Sequence, residues 1–118
     1  MSYDVAVWIG NLPADNAAAL ETFKRRWKRY ENTPEPTHPQ IAAFLDDLLE
    51  RYPDLDGVPE SELESSPWAE GHMIGNARGR FFYFAMTYPG ARKALQFVAE
   101  TAAAHNLVCF DPQSSELL

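Results

Sequence analysis

Two segments of this chain are apolar on both faces of a strand, and they limit the folds open to it. In residues 3–9 (YDVAVWI), Val5, Val7 and Ile9 fall on one face and Ala6 and Trp8 on the other. In residues 80–87 (RFFYFAMT), Phe82, Phe84 and Met86 share one face and Phe81, Tyr83 and Ala85 the other. A strand with two apolar faces belongs in the middle of a sheet.

The helical period appears three times. Residues 15–31 carry Leu20, Phe23, Trp27 and Tyr30 on one stripe. Lys24, Arg25, Arg26, Lys28 and Arg29, five of the chain's ten basic residues, fill the rest of the circumference. The prolines of ENTPEPTHP stop this helix. A second helix is predicted at 38–52, with Thr37 and Gln40 at capping-box spacing. Its apolar face holds Ile41, Phe44, Leu45, Leu48, Leu49 and Tyr52, and its outer face Asp46, Asp47 and Glu50. A third helix spans 90–105 on Ala91, Leu95, Val98 and Ala102, with Phe97 on the opposite side. Residues 53–71 read as one long loop, 72–74 as a short strand and 75–79 as a turn. Residues 107–110 read as a last strand, followed by a frayed tail.

The order β-α-α-β-β-α-β, with the second helix treated as an insertion, is the split β-α-β pattern of a ferredoxin-like α+β sandwich. It predicts an antiparallel sheet of about four strands with three helices. At 118 residues and 46% hydrophobic content, residues 1–118 form a single domain able to bury one core without disulfides. Only one cysteine, Cys109, is present, so no internal disulfide can form. The start, MSYDVAVWIG, lacks the basic and apolar regions of a signal peptide. These features predict a soluble, cytoplasmic protein.

The formal net charge of −7 repels nucleic-acid phosphates and anionic membranes and attracts basic proteins. No Cys-x-x-Cys, His-x-x-x-His or EF-hand spacing supports a metal, although Glu70, His72, Asp54 and Asp56 lie close in sequence. Glu60, Glu62 and Glu64 sit in a polar, proline-flanked stretch, where carboxyls stay hydrated instead of being tuned for acid–base work. Ser65 and Ser66 lack a nucleophile elbow. Cys109 sits in an apolar strand, and His38 and His105 at helix ends, so no nucleophilic triad is legible. No cofactor is implied. GNARGR offers Arg78 and Arg80 as a phosphate cradle but reads more simply as a hairpin turn. The basic run KRRWKRY reads as a solvated or self-paired face, partly neutralised by the acidic helix beside it.

What remains is acidic. Between Asp46 and Glu70 the chain has nine carboxylates (Asp46, Asp47, Glu50, Asp54, Asp56, Glu60, Glu62, Glu64 and Glu70) against one base, Arg51. Clustered like charges cost stability by self-repulsion, and they steer basic partners. Trp68, beside them, has the chemistry of a contact anchor, with Phe97 as a second candidate. The bland alternative is a hydrated loop with Trp68 covering the core.

The pieces YDVAVW, SPWAEG and LVCFDPQ together resemble small bacterial proteins, some of them immunity proteins of toxin–immunity systems, including contact-dependent growth inhibition. The resemblance implies a non-catalytic cytoplasmic domain that binds a cognate toxin, often a basic nuclease, and blocks it. No family binding residues carry over. The expectation is therefore an immunity protein, a monomer or weak dimer when free, that meets its toxin through residues 46–70. It makes no direct contact with nucleic acid or membrane. The rival expectation is a small enzyme or ligand-binding domain with a pocket between sheet and long loop, near Tyr83, Trp8 and His72.

Overall fold

The structure, a computed structural model, describes residues 2–118. Its elements run β1 (Tyr3–Ile9), α1 (Asn16–Asn32), α2 (Pro39–Arg51), β2 (Ala77–Arg78), β3 (Phe81–Met86), α3 (Tyr88–Ala104), β4 (Leu107–Asp111) and β5 (Glu116–Leu117). The sheet is antiparallel in the order β2-β3-β1-β4-β5. The first four strands have the split β-α-β arrangement, and the fold is a ferredoxin-like α+β sandwich. As their composition requires, β1 and β3 are neighbours in the sheet interior.

Register explains the layers. Val5 opposite Phe84 and Val7 opposite Phe82 face a core completed by Ile41, Phe44, Leu45 and Leu48 of α2 and by Ala94, Val98 and Ala102 of α3. Ala6 opposite Tyr83 and Trp8 opposite Phe81 face the other way, with Val108 and Phe110 of β4. That second face is covered by Ala19, Leu20, Phe23, Trp27 and Tyr30 of α1. The inserted helix is thus α1, where the sequence reading had assigned α2. Both faces of the central strands are apolar, and a helix stripe has to cover each.

Capping residues fix the helix starts. Asp15 accepts the Ala18 N–H at 2.8 Å and begins α1. His38, not Thr37, caps α2 by accepting the Gln40 N–H at 3.1 Å; the Thr37 hydroxyl instead donates to the Ala77 carbonyl. Thr87 caps α3, which begins two residues earlier than its apolar stripe suggests because Pro89 fits a first turn.

The irregular parts depart from the sequence pattern in three places. The stretch 53–71 contains 3₁₀ segments at Leu55–Gly57 and Glu60–Ser65. It then runs beside the end of β3, where Ala69 N–H donates to Ala85 O and Thr87 N–H to Pro67 O. The expected strand at 72–74 is a 3₁₀ turn, Met73–Asn76, followed by β2. The tail is a paired strand: Leu118 N–H donates to Cys109 O, and Asp111 accepts from Tyr3 Oη at 2.6 Å and Ser114 Oγ at 2.8 Å. Gly79, at φ 57°, makes the left-handed turn between β2 and β3.

Trp68 joins this irregular segment to the core. It is 2% exposed, lies edge-on to Tyr52 and Phe84, and donates its indole N–H to Tyr52 O at 2.7 Å. Gly90 has to be glycine here, because any Cβ would collide with the Pro67 backbone. Replacing Trp68 by alanine is expected to lower stability by ~3–5 kcal/mol, the usual cost of emptying a buried aromatic site. Urea unfolding of parent and Trp68→Ala reads that difference directly.

Candidate functional site

The acidic residues do not act as one unit. Asp54 serves the backbone: its carboxylate accepts the N–H groups of Asp56, His72 and Met73 at 3.1, 2.8 and 2.8 Å. One side chain thereby closes the loop from residue 54 to residue 73. His72 sits there with φ 52°, a left-handed conformation held by these contacts. Burial alone raises the Asp54 pKa, but the three backbone N–H bonds and the nearby His72 outweigh it and leave the carboxyl below the ordinary aspartate value. Asp56 stands 3.7 Å from the exposed His72 ring. Glu70 accepts from Asn76 Nδ2 at 2.9 Å. Its charge adds to the raised pKa values of Tyr30 and Tyr83.

Asp47 is also engaged, bonding His105 Nε2 at 2.6 Å and tying α2 to the end of α3. Beside it, Asp47, Glu50 and Glu100 line a shallow groove of about 540 Å³ between the two helices, with Phe97 and Arg51. Glu100 escaped the sequence reading because it lies about fifty residues away, on another helix. Phe97, off the inner stripe of α3, packs on Tyr52 and forms an apolar wall of this groove. Next to it, Arg51 and Lys93 both stand over the Tyr52 ring, at 4.6 and 5.5 Å, beside Glu62.

Trp68, expected as a contact anchor, is instead a core residue, buried and bonded to the Tyr52 carbonyl. That leaves Asp46, Glu50, Glu60, Glu62 and Glu64 exposed. The ion pairs among the described residues, Arg29–Glu35, His72–Asp56 and His105–Asp47, include none of these five.

The three residues expected to share a pocket, Tyr83, Trp8 and His72, do not come together. Trp8 and Tyr83 belong to the α1 layer, His72 is exposed on the loop, and Trp68 fills the space between loop and sheet. Tyr83 donates to Asp4 Oδ2 at 2.7 Å, and its pKa is raised by burial and by that carboxylate. Burial pushes the Cys109 thiol up to about 12, so it stays protonated and unreactive near neutrality. Among the described residues, no three His, Cys, Asp or Glu side chains converge as metal ligands.

The opposite side of the sheet is basic. The acidic α2 does not neutralise α1, because the sheet separates them. Arg26, Arg29, Arg78 and Arg80 line a hollow of about 300 Å³ with Tyr30 and Glu35. The signal was present as two fragments, KRRWKRY and RGR, with nothing in the sequence to place them together. Comparison with known protein families, curated proteins and solved structures finds no match.

The Asp54 clip gives a pH prediction with a definite sign. A folded pKa below the unfolded one stabilises above the ordinary aspartate pKa of about 4, and that stability is lost as pH falls through the lowered value. Asp54→Ala is expected to cost ~1–2 kcal/mol at neutral pH, in the range of a lost cap. The gap between parent and variant should shrink in urea melts taken well below pH ~4.

Proposed function

We propose that this chain is an immunity protein, which binds a basic, nuclease-like toxin domain in the cytoplasm and blocks its working surface. The observation that carries this reading is the set of exposed carboxylates that make no ion pair among the described residues, Asp46, Glu50, Glu60, Glu62 and Glu64. They stand on regular structure, the first two on α2 and the others on a 3₁₀ segment flanked by the Asp54 clip and Trp68. An array held in place loses less entropy on binding than a floppy acidic loop.

The groove between α2 and α3 extends the contact surface, adding Glu100 and the apolar wall of Phe97 in the anchoring role that Trp68 cannot fill. Lysines and arginines of a nuclease domain, shaped to hold phosphates, complement such a surface and are steered toward it. Arg51 and Lys93, held over Tyr52, interrupt the acidic field and give the surface a charge pattern that discriminates among basic partners. The resemblance of YDVAVW, SPWAEG and LVCFDPQ to immunity proteins supports the same reading. No helix among the described residues is long and apolar enough to cross a membrane.

Reversing Glu60, Glu62 and Glu64 to lysine tests it. With the toxin domain in hand, stopped-flow mixing at low salt should show association slowed by ~10-fold or more, with a flatter dependence on ionic strength. An unchanged rate and unchanged salt slope would remove this surface from the reading.

A further inference from the structure

We propose that the hollow lined by Arg26, Arg29, Arg78 and Arg80 binds the phosphate group of a small, soluble phosphorylated molecule. The inference is independent of the immunity reading, because this hollow lies on the α1 side of the sheet and the acidic groove on the other.

The hollow holds four guanidinium groups against one carboxylate, Glu35, in a chain whose net charge is −7. Its volume, about 300 Å³, is at the lower limit of ordinary small-molecule sites. The arginines are positioned chiefly by uncharged groups. Arg26 Nη2 donates to Ile9 O at 2.7 Å, and Arg78 Nη1 donates to Tyr30 O at 2.6 Å with its head 4.8 Å over the Tyr30 ring. Anchors of this kind fix a guanidinium without cancelling its charge. Only Arg29 is paired with an acid, at 2.7 Å from Glu35, and no ion pair is made by Arg26, Arg78 or Arg80 among the described residues.

Such an arrangement opposes its own charge. Burial disfavours charged Arg26, and the neighbouring Arg25, Arg80 and Arg29 add repulsion, so its pKa lies below the usual arginine value. A surface meant only to be wet would let these long side chains spread apart. Here Arg26, Arg29 and Arg78 are held around one cavity that Arg80 also lines, and a multiply charged oxyanion is the ligand that relieves the repulsion. Guanidinium forks match the oxygens of a phosphate in pairs, a fit that a lone carboxylate satisfies less fully. Tyr30 and Phe81 in the lining give the body of the ligand an aromatic wall. The acidic charge of the whole chain disfavours a long polyanion, which points to a small molecule.

Calorimetric titration with pyrophosphate, at ionic strength fixed with sodium chloride, tests the site. Saturable binding is expected, with acetate far weaker. Arg80→Gln should weaken it by ~10-fold or more, as loss of a charge-assisted contact does. Arg80 is exposed and makes no ion pair among the described residues, so this variant should fold. Glu35→Gln, which frees the Arg29 fork, should tighten binding. Lys24→Gln, outside the hollow, should leave it unchanged. No saturable heat, equal binding of acetate, or equal affinity of parent and Arg80→Gln would overturn the proposal.

Discussion

The antiparallel pairing of β1 with β3 sets Val5 against Phe84 and Val7 against Phe82 on one face of the sheet. On the other it sets Ala6 against Tyr83 and Trp8 against Phe81. Neither face tolerates water, since each large apolar side chain left exposed would forfeit ~1.5–3 kcal/mol. The chain therefore needs helices on both sides. α2 and α3 cover one face and α1 the other. This constraint also separates the charges, because α1 carries half of the chain's basic residues and α2 carries acids on its outer face. A sheet stands between them.

A second dependence runs through the irregular segment between α2 and β2. It has few apolar residues, and its order comes from two points of attachment. Asp54 gathers three backbone N–H groups and closes the loop, while Trp68 enters the core between Tyr52 and Phe84. Between these points stand Glu60, Glu62 and Glu64, none of them in an ion pair among the described residues. The chain thus ties down both ends of a repulsive stretch and leaves its middle facing solvent.

Much of this was legible in the sequence. The period of apolar residues placed both central strands and all three helices, because each has one dominant side-chain repeat. The ferredoxin-like order followed from their succession. The period does not say which sheet face a helix covers, so the inserted helix was assigned to α2 instead of α1. Trp68 looked like an anchor because its acidic neighbours dominate the local composition, yet burial depends on Tyr52, Phe84 and Met86, which come from elsewhere in the chain. The tail looked frayed because its order rests on partners far apart in sequence: Tyr3 donates to Asp111, and the Leu117 N–H donates to the Asn16 side chain. The arginine hollow was hidden for the same reason: Arg26 and Arg29 meet Arg78 and Arg80 only after α1 has packed on the sheet. Contacts between distant residues were the common element in what the sequence did not reveal.

The functional reading rests on the acidic surface as a place for a basic protein. The most direct measurement is native capture on the tagged chain from its own host, read by mass spectrometry at low and at high salt. The account predicts one stoichiometric, basic, toxin-like protein held at low salt and released at high salt. A monomer that retains no protein under either condition would contradict it.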